Sequence, residues 1–409
     1  MTGVEARTRR RWWAWALAAA IVAVGVWPLV EHWLTNPDDQ RLVDLDVYRT
    51  GGQMVLEGRP VYGFFTPAPQ LLPFTYPPVA ALFASGLAAM SWVTAQWVWT
   101  AGIFAALGVA VGFAFRDALG RHTPWVFAFL MVACTFLMPI RDQVRFGQVD
   151  ILLVALCLAD CVARRPWWPR GFLIGLATAV KLTPGVFLIY LLVTRQWRTL
   201  FLASLVTALL TLLPFAVVPQ DAVDFWFGAL LDSERLGSNA ATTNQSIRGM
   251  LIRLYLPDAL TTVIWLAAVA VVGWYGFRGA RDAYRAGDQL TAVALVGLMA
   301  VLLSPVAWIH HLAWVVVVLG AIAGDGRDPV RLRVAAGVWL YYVVPVPWWG
   351  VAIRAAEIPV VSPVLGKIVQ NGFGLGAIVL VWLLVHRLPA RRAEESRMPH
   401  LPRQPADTL

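Results

Sequence analysis

Apolar runs close to twenty residues long recur in this chain from residue 12 to residue 387, with short polar segments between them. About twenty apolar residues wound as a helix cross the hydrocarbon core of a bilayer. Only helices and closed barrels satisfy their backbone groups in lipid, and these runs lack the alternation of barrel strands. Of the 409 residues, 59% are hydrophobic and only 14% charged, more apolar surface than one soluble core could hide. The sequence therefore predicts an all-α polytopic membrane protein.

The candidate spans are 12–30, 78–92, 94–115, 123–139, 150–163, 171–183, 184–194, 199–217, 258–277, 289–303, 305–323, 333–348 and 367–388. The net charge of +9 sits in short basic clusters between them, the pattern of cytoplasmic loops rather than of a nucleic-acid surface. "EARTRRR" precedes the first run and "HRLPARRAEESR" follows the last. Both termini thus read as cytoplasmic, so the number of crossings is even, about twelve. The first run is long and no A-x-A-like site follows it, which reads as a signal anchor rather than a cleaved leader. Residues 218–257, the "SPVAWIHH" turn and 349–366 then fall outside. Two readings of 171–194 stay open. It is either a short hairpin with "KLTP" at its outward tip, or one crossing, which inverts the loops between residues 116 and 170; the hairpin fits the basic residues better. Residues 1–388 read as one membrane domain with a first outer loop at 31–77, and the polar residues 389–409 as a disordered cytoplasmic tail. Cys134, Cys157 and Cys161 lie within apolar runs and read as small core hydrophobes.

Polar residues stand out against this background. "RLVDLDVYRTGG" (41–52) places Asp44 and Asp46 just past the first run. A helix over 44–57, ended by "EGRP", is short enough to lie on the outer membrane surface. Asp44 could simply cap it, with Asp46 a first-turn acid, or one carboxylate could act as a general base. The two acids point about 200° apart on a helix, so at most one faces a given site. "LLPFTYPPVAAL" (71–82) brings Tyr76 to the entrance of a membrane helix. "PIRDQVRFGQVD" (139–150) carries Arg145 and Gln148, types that suit a phosphate and sugar hydroxyls. Lys181 stands alone amid apolar residues, and an intramembrane charge is a functional candidate. Asn244, Gln245 and Arg248 in "NQSIRGML" offer amides for hydroxyls and a cation for phosphate. Of the neighbouring His310 and His311, one is expected to face the site and the other to pack. There is no P-loop, H-E-x-x-H or paired-cysteine motif, which speaks against an ATP-driven pump with its own nucleotide domain.

"VDLDVYRTGG", "LPFTYPPVAAL", "RFGQVDILLVAL", "GLATAVKLTP", "NQSIRGML" and "SPVAWIHH" follow one another in this order. Together they resemble the actinobacterial polyprenol-phosphate-mannose-dependent α-(1→2)-mannosyltransferases. The resemblance implies a GT-C membrane bundle on the plasma membrane, with its site on the outer face. It implies inverting transfer of mannose from polyprenyl-phosphate-mannose to the 2-hydroxyl of a mannosylated glycolipid. It casts Asp44 as the base and matches Gln148, Lys181, His310 and His311, while Asp46, Tyr48, Tyr76, Arg145, Asn244, Gln245 and Arg248 join these four as candidate substrate-binding residues by residue type and position. Fixed cations can stabilise a leaving lipid phosphate, so neither metal nor cofactor is expected. One base suffices for inversion, so two acids in "DLD" need not form a retaining pair. The alternatives are the same fold with another polyprenyl-phosphate sugar, arabinose or glucose, or a lipid or sugar transporter built around Lys181 and broken helices.

Overall fold

The computed structural model describes residues 3–37, 40–120 and 123–387, so the tail expected at 389–409 lies outside the described residues. Among the described residues the secondary structure is helical, with no strand longer than an isolated bridge. Four helices are long and apolar enough to cross a membrane: Trp12–Thr35, Trp92–Ala114, Trp197–Val217 and Asp258–Arg285. Three pairs pass that test only together and are bent: Thr123–Thr135 with Met138–Phe146 by 75°, Pro329–Val343 with Val346–Ala355 by 50°, and Val361–Gln370 with Gly372–His386 by 58°. Such helices mark an integral membrane protein. Length and composition thus give four to seven spans, below the sequence count of about twelve. The difference comes from runs that prolines, glycines and polar turns divide into shorter helices. Val315–Ala323 is one of these; it is buried at every residue and sits inside the bundle rather than against lipid. The segment 349–366, expected as a loop, is largely helical, with Val346–Ala355 packed against Val361–Gln370.

The packing around Lys181 favours the hairpin reading of 171–194. Helix Phe172–Val180 ends at Lys181, whose extended φ of −148° breaks it, and Val186–Val193 follows a short turn through Pro184. Gly171 faces Thr199 and Gly175 faces Ala203 and Val206, so Phe172–Val180 runs parallel to Trp197–Val217. Val186–Val193 turns directly into that same long helix at residues 194–196 and packs against it, hence antiparallel. The two short helices are therefore antiparallel to each other, with Lys181 at the tip between them.

Helix Val43–Glu57 is held from both ends. Its N–H at Leu42, a residue in the left-handed region (φ 49°), donates to Arg145 O at 2.8 Å. At its other end Gly58 adopts φ 64° and donates back to Met54 and Val55 carbonyls, a glycine C-cap where "EGRP" predicts one. Leu45, Val47, Tyr48, Gly51, Gly52 and Met54 are buried. Gly52 is where the helix meets Pro78–Ala88: a Cβ there would lie 2.4 Å from the Ala84 backbone. Gly147 (φ 72°) allows a second close approach, since a Cβ there would lie 2.8 Å from Leu45 Cβ. Backbone cannot yield as a side chain can, so Gly52→Ala forces the two helices apart. Overpacking of this kind costs about 1–3 kcal/mol. A thermal unfolding scan of Gly52→Ala in detergent is expected to show a clearly lowered midpoint; an unchanged midpoint would contradict this contact.

Candidate active site

A cavity of about 370 Å³ lies where these elements meet. Asp44 enters from the Val43–Glu57 helix, Tyr76 from the proline-rich loop, Gln148 from the turn before Asp150–Val162, and Lys181 from the hairpin tip. His310 and His311 enter from the turn after "SPVAW", and Arg235 from the segment following the π-helical turn Phe225–Ala229.

Asp44 does not cap its helix. The capping position belongs to Leu42, which has no side-chain hydrogen bond to offer, and Asp44 stands inside the first turn. The helix dipole favours a carboxylate there. The Gln148 side chain hydrogen-bonds Asp44. Gln148 Oε1 in turn accepts from the Tyr48 hydroxyl at 3.1 Å and the Tyr76 hydroxyl at 3.2 Å. With the oxygen so occupied, the Gln148 NH₂ group is the one left to face the carboxylate. The two tyrosine hydroxyls are 2.8 Å apart, and the Tyr48 ring meets Tyr76 and Trp99 edge-on at 5.1 and 5.7 Å. Burial pushes the Asp44 carboxyl up to about 7, while the Gln148 hydrogen bond and the Lys181 charge pull it down. A carboxylate poised near neutral pH is suited to take a proton from a hydroxyl.

Opposite stands a cationic group. Lys181 Nζ lies 2.8 Å from Asp150 Oδ1, with only 12% and 8% of the two side chains exposed. It also lies 2.9 Å from His311 Nε2 and 3.5 Å from the Tyr76 hydroxyl. The His311 contact has a further consequence. The Trp308 backbone N–H donates to His311 Nδ1 at 3.1 Å, and a backbone amide can only donate. Nδ1 is then the acceptor, so the neutral ring carries its proton on Nε2 and points it at the lysine. Two donors face each other 2.9 Å apart, and an anionic oxygen beside the pair would accept from both. His310 Nε2, also buried, has no hydrogen-bond partner, and neither does Asp150 Oδ2, 3.8 Å away. Asp150, His310 and His311 could offer a metal three ligand atoms within 4.8 Å of one another. The Lys181 ammonium bonds Asp150 and stands 2.9 Å from His311 Nε2, so it would repel a divalent cation there.

The sequence-derived candidates divide accordingly. Asp44, Tyr76, Gln148, Lys181, His310 and His311 line the cavity, and Tyr48 backs it through its hydroxyl. Both histidines line it, not one as expected, because they sit on a tight 3₁₀ turn whose two rings meet at 4.7 Å. Asp46 faces away, as the helical angle requires; it lines a separate cavity with Arg49, Thr66 and Trp92. Arg145 is exposed, with its guanidinium over the neighbouring Phe146 ring, and Arg248 stacks on Trp265 at 5.5 Å. Neither lines the cavity. Asn244 and Gln245 are wholly buried and their amides serve the backbone. Asn244 Oδ1 accepts from Ser246 and from Ala307 N at 3.0 Å; Gln245 bridges Thr242 O, Gln370 O and Gly374 N. They hold the histidine-bearing turn in place and have no group free for a sugar. Arg253, 1% exposed, joins the same clamp through Asn371, Ala241 O and Asn244 O.

Sequence reasoning passed over two residues. Asp150, in "GQVD", is the partner that makes a buried Lys181 tolerable. Arg235 lines the cavity while donating to Tyr62 O at 3.1 Å and Phe74 O at 3.4 Å. No motif marks it, and only the long-range carbonyl partners reveal it. Asn244→Ala would strand the buried Ala307 N–H, at about 1–3 kcal/mol. Its expected signature is a lowered unfolding midpoint with substrate KM values within about twofold of wild type in the folded fraction. A normal midpoint with a raised KM would restore Asn244 to the substrate.

The comparisons bear on what such a cavity serves. The family model of glycosyltransferase family 87 matches residues 74–305. A polyprenol-phosphate-mannose-dependent alpha-(1-2)-phosphatidylinositol mannoside mannosyltransferase of Mycolicibacterium smegmatis is 37% identical, over 74% of this chain and 76% of the relative. Its namesake from Mycobacterium tuberculosis is 33% identical over 83% of each. A phosphatidylinositol pentamannoside mannosyltransferase of M. smegmatis is 30% identical over 81% and 82%. The solved structure of ArnT from Cupriavidus metallidurans bound to undecaprenyl phosphate aligns over 95% of this chain and 79% of that one. At 16% identity and a TM-score of 0.37, it is too distant to carry a conclusion. On the family match and the relatives alone, the chain belongs to glycosyltransferase family 87.

Proposed function

We propose that this protein is an inverting mannosyltransferase. It moves mannose from polyprenyl-phosphate-mannose to the 2-hydroxyl of a mannosylated glycolipid of the phosphatidylinositol mannoside or lipomannan type. The reading includes a GT-C-like bundle of about twelve crossings, cytoplasmic termini, and an outer-face site with the Asp44 helix lying along the membrane surface. The domain would then be residues 1–388 with 389–409 as its tail. The observation that carries the reaction is the shared cavity: a carboxylate poised near neutral pH on one wall and a lysine–histidine donor pair on another. The relatives' dependence on polyprenol-phosphate-mannose supports the donor, and their named acceptors support a mannosylated lipid.

The chemistry follows from charge and position. The donor's lipid phosphate sits beside Lys181 Nζ and the His311 Nε2–H, two donors that give each other no acceptor. Arg235 supplies further positive charge. Asp44, oriented by Gln148, draws the proton from the acceptor hydroxyl as that oxygen attacks the anomeric carbon. The bond to phosphate breaks as the new one forms, so a β-linked donor gives an α-linked product. The leaving anion is stabilised by donors already in place, which needs no reorganisation.

Loss of a general base costs about 10²–10⁴-fold. Asp44→Asn is expected to lower the transfer rate from radiolabelled donor by at least about 10²-fold with an unchanged unfolding midpoint; near-normal transfer would remove Asp44 from the base role. With the Asp44 carboxyl pushed up to about 7, it is protonated below and ionised above that pH. Wild-type kcat/KM is therefore expected to rise as pH increases through about 7 and then level off. A profile flat from pH 5 to 8 would contradict this. Lys181→Met is expected to raise the donor KM at least tenfold, whereas Arg145→Ala and Arg248→Ala leave it within twofold.

A further inference from the structure

A second cavity, of about 400 Å³, opens beside the first. The two share Ala229 and Arg235. We propose that this second cavity holds the glycan of a membrane-anchored acceptor, with Arg235 at the junction between acceptor and donor. The proposal rests on the transferase reading and assigns its acceptor side.

Three features support it. The first is separation: Lys181 and His311 line the first cavity and not the second, so a sugar in the second does not compete with the donor phosphate for that pair. The second is chemistry. Asp224 accepts from Gln220 at 2.8 Å through Oδ1, which leaves Oδ2 for a sugar hydroxyl, and its negative charge disfavours a second phosphate. Arg235 is fixed by two backbone carbonyls, yet its buried Nε has no hydrogen-bond partner. Phe227 stands 75% exposed at the rim, an aromatic face for a sugar ring. The third is anchorage. Phe227 lines the cavity, and Leu231, four residues further along the chain, is 77% exposed. One carboxylate and one guanidinium among apolar and aromatic side chains fit a head group whose tails stay in the bilayer, not a free sugar.

The π-helical turn Phe225–Ala229 makes this space, and a Cβ at Gly228 would meet nothing within 4 Å. A side chain at this lining position therefore starts without a clash at its Cβ, and Gly228→Trp puts the largest side chain there. The test uses full-length enzyme in nanodiscs, polyprenyl-phosphate-mannose and a purified phosphatidylinositol mannoside. Gly228→Trp is expected to raise the glycolipid KM at least tenfold while the donor KM, at saturating glycolipid, stays within twofold. Phe227→Ala, which adds no bulk, is expected to raise the glycolipid KM severalfold and carries the test if Gly228→Trp does not fold. A glycolipid KM within twofold of wild type in the folded variants, or donor and glycolipid KM rising together, overturns the subsite. Wild-type enzyme that transfers to no acceptor would instead overturn the transferase reading.

Discussion

An ammonium enclosed as deeply as that of Lys181 would cost several kcal/mol in desolvation if it stood alone. Asp150, 2.8 Å away, answers its charge and fixes its position. That pair ties the hairpin tip to the start of the Asp150–Val162 helix, and the ammonium lies against His311 of the turn after Pro305. Three segments distant in sequence thus meet at one cation. Breaking such a pair leaves an uncompensated buried charge and costs about 3–5 kcal/mol, so the cavity and the fold around it stand together.

The acid side is built by different means. Asp44 is set by helix packing: Gly52 lets its helix close on Pro78–Ala88, and Gly147 lets the Gln148 turn close on Leu45. Those two contacts bring Gln148 to the carboxylate, and the tyrosine pair fixes the amide's orientation. A layer behind, Asn244, Gln245 and Arg253 hold the histidine turn by bonding its backbone and their own. The charged groups that face the cavity are few, while the polar groups that hold them there are many.

Much of this was legible in the sequence because it rests on rarity. A lysine in an apolar run, an acid pair beside a membrane helix and a histidine pair after a proline are conspicuous against lipid-facing residues. Lys181, His310 and His311 stand out that way, the family resemblance singles out Asp44 from the acid pair and supports Gln148 of "GQVD", and all five meet in one cavity. Residue type alone misled at Asn244 and Gln245, since an amide suits a backbone carbonyl as well as a sugar hydroxyl. It misled at Arg145 and Arg248, whose guanidinium groups stack on aromatic rings. Arg235 escaped notice because its partners, Tyr62 and Phe74, lie more than 150 residues away in the chain. The number of crossings is not legible from hydropathy alone, because hydropathy does not separate a buried core helix such as Val315–Ala323 from a lipid-facing one.

The central claim is that one cavity transfers mannose from a lipid phosphate with inversion. The most direct measurement combines purified enzyme, β-linked polyprenyl-phosphate-mannose and a phosphatidylinositol mannoside, and reads the product's new linkage by NMR. An added α-(1→2)-mannose is the predicted result. A β-linked product, or no transfer to any mannosylated lipid by folded enzyme, would contradict it.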